Sequence, residues 1–173
     1  MRRPGFYVQI ALLLVVPPIA ALPLLKRVDV AALIRVVQGG PSLKIDLSER
    51  KLYVMEGGKT VKTYSVAVGT PSHPTPTGQF RTGRIVWNPG WNPPDSPWAR
   101  GEKPRAPGDP KNPMRGVKIY FREPAYFIHG TNDPASIGSA ASHGCVRMTE
   151  ADAKALARRI EAAGGSVPLR IVP

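Results

Sequence analysis

Beyond the first forty residues, the sequence is a succession of short segments in which apolar and polar residues alternate, which limits the chain to a fold built mostly of strands. The first segment shows the pattern with Leu43, Ile45 and Leu47. A period of two residues is typical of a strand buried on one face. Six further strands are predicted, over Leu52–Met55, Val61–Val68, Phe80–Trp87, Val117–Phe121, Tyr126–His129 and Val167–Val172.

Only one segment has the signature of a helix. Thr149 is a capping residue with Asp152 at the reciprocal capping position, so a helix is predicted to begin at Glu150. Gly164-Gly165 ends it. Because this helix follows the strands instead of alternating with them, repeated strand–helix–strand units are not expected. The sequence therefore predicts a mainly β, mixed α+β domain with one late helix.

The N-terminal segment, residues 1–25, differs from the rest of the chain. Two arginines at positions 2 and 3 precede a stretch without charged side chains, Pro4–Leu25. One interpretation is a signal peptide cleaved near the small residues Ile19-Ala20-Ala21. The other is an uncleaved membrane anchor of about the minimum length for ~30 Å of hydrocarbon. Either one predicts that the rest of the chain lies in the cell envelope, outside the cytoplasmic membrane.

The charge is strongly basic, with 24 Lys and Arg against 12 Asp and Glu. Residues 26–41 are predicted to be a tether, and residues 42–173 form one domain that is long enough to bury a core. Residues 1–41 carry five Lys or Arg and one Asp, which leaves a net charge of +8 on the domain. A basic surface suits an anionic polymer or lipid. No nucleic-acid motif is visible, so nucleic acid is not an expected partner.

Cys145 is the one cysteine of the chain, so no internal disulfide can form. A leftover thiol in an exported chain is either a pairing point or a reactive group. It follows His129 by 16 residues, and a nearby imidazole or cation can lower a thiol pKa from ~8.5 to roughly 3.5–7.5. We predict that Cys145 is a nucleophile and that His129 is the general base that takes its proton and returns it to a leaving amine.

The residues around the cysteine are candidates for binding the substrate. Arg147 adds positive charge, or alternatively forms a surface ion pair. The backbone N–H groups of Gly144 and of the cysteine are candidates for an oxyanion hole. His143 either holds the loop by a hydrogen bond or contacts the substrate. Ser142 and Gly130 are assigned to the same substrate-binding group.

A metal centre is the alternative interpretation of the histidines. His73, His129 and His143 together with Cys145 would supply the donors of a zinc site. However, no pair with metal-ligand spacing, such as Cys-x₂-Cys or His-x₃-His, is present. Neither a metal nor a cofactor is therefore expected.

The sequence around the cysteine resembles a known family. His129-Gly130-Thr131-Asn132, Ser136-Ile137-Gly138 and Ser142–Met148 are similar to the signature of the L,D-transpeptidases with a YkuD-type catalytic domain. Gly69-Thr70-Pro71 and Thr75–Phe80 resemble the segment that precedes the site in that family. The resemblance covers nearly the whole domain.

The resemblance implies a β-sandwich-like fold with Cys145 at the mouth of a cleft and His129 oriented by a backbone carbonyl. It implies that the thiolate attacks the third residue of a peptidoglycan stem peptide, a diamino acid, and releases D-alanine. The acyl group then passes to the amine of another stem, giving a 3→3 cross-link, or to a protein amine. It also implies that the loop Asn88–Gly116, with Trp91 and Trp98, covers the cleft.

Two other functions fit the same residues. An L,D-carboxypeptidase or cysteine peptidase would hydrolyse wall peptides through the same acyl-enzyme. Papain-like peptidases are disfavoured, because they place the cysteine before the histidine in the chain. A non-catalytic wall-binding module is the third possibility, and the intact pair of His129 and Cys145 argues against it.

Overall fold

The computed structural model describes residues 40–173. The predicted signal peptide or anchor, and all but the last two residues of the predicted tether, lie outside this range. Within it, no helix is long and apolar enough to span a bilayer. The strands of the described part are β1 (Ser42–Asp46), β2 (Lys51–Glu56), β3 (Lys59–Ser65), β4 (Val68–Gly69), β5 (Gly78–Arg81), β6 (Ile85–Trp87), β7 (Arg115–Arg122), β8 (Tyr126–Gly130), β9 (Ala140–Ser142), β10 (Val146–Met148) and β11 (Pro168–Val172).

The strands form two larger sheets and one small one. The five-stranded sheet has the order β3-β2-β1-β11-β5, and only the β1–β11 pair is parallel. The four-stranded sheet has the order β10-β8-β7-β6, and only the β8–β10 pair is parallel. Strands β4 and β9 pair in parallel. The fold is mainly β with mixed sheets, as the alternation predicts.

In the first hairpin, the alternation of apolar and polar residues correctly predicts which side chains are buried. Leu43 and Ile45 of β1 pair with Val54 and Leu52 of β2, and all four side chains are buried. Burial of such a side chain contributes about 1.5–3 kcal/mol, so the register is firmly set. Gly57-Gly58 supplies the two positive φ angles of the following turn.

The segment Val61–Val68, predicted as one strand, is divided between two sheets. Strand β3 ends at Ser65, and the backbone of Ala67 then exchanges two hydrogen bonds with Arg147, of 2.9 and 2.8 Å. The chain therefore crosses from the five-stranded sheet to the strand that follows Cys145. The prediction was wrong here because alternation does not identify the partner strand.

The segment Phe80–Trp87 is divided in the same way. Thr82 donates its N–H to the Val167 carbonyl at 2.9 Å, on the side of the five-stranded sheet. Gly83 donates its N–H to the Tyr120 carbonyl at 2.7 Å, on the side of the four-stranded sheet. Two adjacent residues thus transfer the chain from one sheet to the other.

The predicted helix is confirmed as α1 (Glu150–Ala162). The Thr149 hydroxyl accepts the N–H of Asp152 at 3.1 Å and donates to the Asp152 carboxylate at 2.8 Å. Gly164, with a φ of +97°, follows the last turn. The helix packs on β7 and β8. Its buried side chains have the spacing of one helix face: Ala153, Leu156, Ala157 and Ile160.

One apolar cluster joins both larger sheets and the helix. In the four-stranded sheet, the side chains on the core face are Val117, Ile119, Ile128 and Val146. Because side chains alternate along a strand, the residues between them point to the opposite face. That opposite face carries the candidate site.

Candidate active site

Three side chains form a row across the face of the four-stranded sheet that lies away from the core. Arg147 of β10 is the register partner of His129 of β8, and Lys118 of β7 is its partner on the other side. Residues paired across neighbouring strands direct their side chains to the same face. An imidazole therefore stands between two cations.

Cys145 lies in a second row beside the first. It precedes Arg147 by two residues and so faces the same way, next to Phe127, which pairs with Tyr120. Its Sγ lies 3.4 Å from the Ala125 carbonyl oxygen. The thiol and the imidazole of the first row both line one cleft of about 450 Å³, a volume within the usual range of small-ligand sites.

A backbone carbonyl fixes the orientation of the His129 imidazole. His129 is 2% exposed, and its Nδ1 lies 3.0 Å from the Gly130 carbonyl oxygen. With Nδ1–H donating to that carbonyl, Nε2 keeps the lone pair that a base needs. A Cβ at Gly130 would lie 2.3 Å from the Arg115 carbonyl oxygen, so only glycine fits. Gly130 was predicted to bind substrate; it is not among the residues that line the cleft, and its carbonyl contacts the imidazole instead.

Burial dominates the protonation of the imidazole. It lowers the pKa of His129 to about 4, and the charges of Arg147 and Lys118 act in the same direction. The carbonyls of Gly130 and Pro113 act against the shift by accepting hydrogen bonds. The base is therefore neutral at pH 7 and ready to accept a proton.

Burial also dominates the protonation of the thiol. It raises the pKa of Cys145 to about 11, although the backbone of Phe127 and the charges of Lys118 and Arg147 lower it. The sequence predicted a lowered thiol pKa, whereas burial in this fold raises it. The two cations favour the thiolate, but desolvation outweighs them. In the free domain the pair is a neutral thiol beside a neutral imidazole.

A serine side chain closes the loop that precedes the cysteine. The Ser142 hydroxyl accepts the Gly144 N–H at 3.1 Å and donates to the Cys145 carbonyl at 2.5 Å. Gly144 has a φ of +104°, and a Cβ there would lie 2.9 Å from the Tyr126 ring. The hydroxyl of Ser142 and the N–H of Gly144 are thus committed to the loop. The Cys145 N–H makes no hydrogen bond within residues 40–173 and is left to bind an oxyanion.

His143 contacts rings and makes no side-chain hydrogen bond in the described part of the chain. It stacks on Trp98 with centroids 4.0 Å apart and an interplanar angle of 11°. The ring of His73 meets it edge-on at 4.8 Å. The predicted hydrogen bond to the loop is therefore replaced by aromatic contact. Across residues 40–173, no three His, Cys, Asp or Glu side chains converge as metal ligands.

The loop Asn88–Gly116 reaches over the cleft, and both of its tryptophans, Trp91 and Trp98, line it. Trp91 exchanges two backbone hydrogen bonds with Arg105, of 2.9 and 2.8 Å. The buried amide of Asn112 donates to the Pro89 carbonyl at 2.9 Å. These bonds order the loop, so the tryptophans are held at the cleft.

The cleft is cationic, and one of its cations was not predicted. Its lining includes Lys118 and Arg147 but no Asp or Glu of the described residues. Alternation within Val117–Phe121 places Lys118 and Tyr120 on the polar side of their strand. The sequence does not show that this strand pairs with the one carrying His129, so Lys118 was missed.

The fold is that of an L,D-transpeptidase catalytic domain. An L,D-transpeptidase from Mycobacterium smegmatis superposes with a TM-score of 0.58 at 18% identity, over 78% of this chain and 60% of that one. The catalytic domain of an E. faecium L,D-transpeptidase gives 0.58 at 19% identity, over 76% of this chain and 96% of that one. At these identities the likeness shows the fold alone.

Sequence comparison identifies the family. The model of the YkuD family, described as the L,D-transpeptidase catalytic domain, matches residues 40–169. The chain belongs to this family. The family protein YkuD of Bacillus licheniformis is 34% identical over 115 residues, and that of Bacillus subtilis 33%. Each alignment covers 66% of this chain and 57% of the relative, so the chain spans a little over half of their length.

Proposed function

We propose that the domain is a peptidoglycan L,D-transpeptidase that forms a thioester between Cys145 and a stem tetrapeptide. The observation that carries this proposal is the cleft itself. It is lined by the thiol of Cys145, just before β10, and by the neutral imidazole of His129 on β8, together with two cations and no carboxylate of residues 40–173. Stem peptides carry several carboxylates, which such a cleft attracts. Family membership supports the same substrate class.

In the first half-reaction, Nε2 of His129 takes the thiol proton as Sγ of Cys145 attacks the carbonyl of the third residue. The Cys145 N–H is placed to stabilise the oxyanion that forms. His129 then returns the proton to the nitrogen of the departing D-alanine, the amide C–N bond breaks, and a thioester remains.

In the second half-reaction, an amine of a second stem or of a protein attacks the thioester. His129 accepts a proton from the attacking nitrogen and returns it to Sγ as the C–S bond breaks. The thiol and the neutral imidazole are restored, and an amide joins the two molecules. Water in place of the amine would give hydrolysis, so the second candidate function, L,D-carboxypeptidase, uses the same acyl-enzyme.

The direct test is incubation of the full-length chain with a stem tetrapeptide, followed by mass spectrometry. We expect an adduct on Cys145 with the mass of the tetrapeptide less D-alanine. Adding an acceptor stem should convert the adduct to a cross-linked peptide, whereas a free tripeptide formed equally with and without acceptor would favour the carboxypeptidase. Chain alkylated beforehand with iodoacetamide is the control. No adduct on the unblocked thiol would contradict the proposal.

We also propose that the domain works in the cell envelope, directed there by residues 1–25 acting as a signal peptide or as a membrane anchor. The charge-free stretch Pro4–Leu25 after two arginines supports this placement. A reporter that is active only in the cytoplasm, fused after Pro173, is expected to be inactive. Fusion to a chain that lacks residues 1–25 is the control and should be active. Cytoplasmic activity of the first fusion would overturn the placement.

A further inference from the structure

Lys118 is a cation without a counter-ion in the described part of the chain. Its side chain is half-buried in the cleft, with Nζ 3.4 Å from the Tyr120 hydroxyl oxygen. The ammonium lies over two rings, 4.6 Å from the centroid of Phe127 and 5.3 Å from that of Tyr120. It forms no ion pair within residues 40–173. Because a partly desolvated ammonium without a counter-ion is costly, a ligand anion is its natural partner.

The position of the ammonium relative to the thiol limits which anion it can bind. The backbone of Lys118 pairs with that of His129, but its Nζ lies over the ring of Phe127, which is the neighbour of Cys145. The strands of Lys118 and of the thiol are two spacings apart, about 10 Å. An anion at this position can belong to the molecule acylated on Cys145 only if it lies several bonds from the reacting carbonyl.

A carboxylate at the end of a diamino acid side chain has this reach. Five C–C bonds separate the α-carbon of such a residue from its distal carboxylate carbon, which extends roughly 6 Å. A charge-assisted hydrogen bond adds about 2.8 Å. The total approaches the distance between the two strands. Arg147, two residues after the thiol, lies on the other side of His129 from Lys118 and is left for a different carboxylate.

We propose that Lys118 is a specificity-determining residue that binds the free side-chain carboxylate of the acyl-donor residue. The domain then prefers a donor built on a diamino dicarboxylic acid over one whose distal carboxyl group is amidated. This inference rests on the proposed function, because it assigns the donor chemistry of the same cleft.

The kinetic test compares two tetrapeptide donors, one with the free distal carboxylate and one with it amidated, on the full-length chain. Lys118→Met is expected to lower kcat/KM for the free donor roughly tenfold or more, chiefly through KM, because a hydrogen bond to a charged group is lost. The amidated donor should change by less than about twofold. Lys118→Arg should keep most of the preference for the free over the amidated donor, which it would not do if Lys118 had a purely structural role. Equal losses for both donors, or no loss, would overturn the proposal.

The control is Lys62→Met. Lys62 is an exposed lysine on β3 whose Nζ also lies over a ring, 5.4 Å from the centroid of Tyr64, but outside the cleft. Lys62→Met should leave unchanged the ratio of kcat/KM for the free donor to kcat/KM for the amidated donor. Lys118→Gln keeps a polar side chain and gives the same comparison if the methionine variant is unstable by circular dichroism.

A second measurement separates this inference from the proposed function. The rates at which Cys145 is alkylated by 4-maleimidobutyrate and by its amide differ through a carboxylate held several bonds from the reacting carbon, at the reach inferred for Lys118. Neither reagent needs a peptide substrate. The ratio of the two rates should fall severalfold in Lys118→Met and stay constant in Lys62→Met. A fall in the ratio without turnover of any donor would refute the transpeptidase and retain Lys118 as a carboxylate-binding residue. An unchanged ratio would overturn the role of Lys118 even in an active enzyme.

Discussion

Cys145→Ser is expected to abolish both transfer and hydrolysis, with a loss on the order of 10⁴- to 10⁶-fold in kcat. The thiol is the one sulfur nucleophile of the chain. A serine hydroxyl ionises far less readily, and it would need a base held in a dedicated triad. His129 is held by a carbonyl and not by a carboxylate, so it is a weak base for a hydroxyl. Steady-state release of D-alanine measures the loss.

The fold of this variant should be unchanged, because oxygen replaces sulfur in a position that is already partly exposed. Circular dichroism and thermal melting are the controls. Retained turnover in a folded serine variant would falsify the nucleophile assignment and promote the wall-binding module over the enzyme.

His129→Ala is expected to reduce kcat/KM by about 10²- to 10⁴-fold, the usual contribution of a positioned general base. The loss should not add to that of Cys145→Ser, since the two residues act as one unit. Full additivity in the double variant would mean that the imidazole acts independently of the thiol. D-alanine release by the single and double variants decides between these outcomes.

The pH profile gives this prediction a second test. Since the pKa of His129 is about 4, kcat/KM of the wild type should fall only as the pH drops through about 4, when the imidazole becomes protonated and cannot accept the thiol proton. In His129→Ala the thiol must ionise alone, so the residual rate should rise with pH toward the thiol pKa of about 11. An acid limb near pH 6.5 in the wild type would contradict a buried, neutral base.

Elements defined by local chemistry were predictable from the sequence. The hairpin of β1 and β2 follows from alternating apolar residues and Gly57-Gly58, and α1 follows from Thr149 and Asp152. The strand predictions were wrong where the ends of a strand depend on which other strand it pairs with. Val61–Val68 and Phe80–Trp87 each contain a crossing between sheets, and the short strands β9 and β10 exist only because β4 and β8 pair with them. No local pattern encodes such pairings.

The site was predictable to a similar extent. His129 and Cys145 were identified from residue types and spacing, and the structure places both in one cleft. Their protonation was not predictable, because burial sets the direction of both shifts and depends on the whole fold. The same holds for Lys118, whose relation to His129 is a matter of register between β7 and β8. The hydrogen bonds of Ser142 within the cysteine loop and the contact of the Gly130 carbonyl with His129 were likewise not predictable from the sequence.

The neutral thiol also affects how readily oxidants inactivate the protein. Peroxides oxidise the thiolate far faster than the thiol. Burial raises the pKa of Cys145 to about 11, so the thiol is protonated at pH 7. We therefore expect the thiol to oxidise slowly while the cleft is empty, and to become reactive when His129 takes its proton. Resistance to oxidative inactivation and the need for a general base are consequences of the same burial.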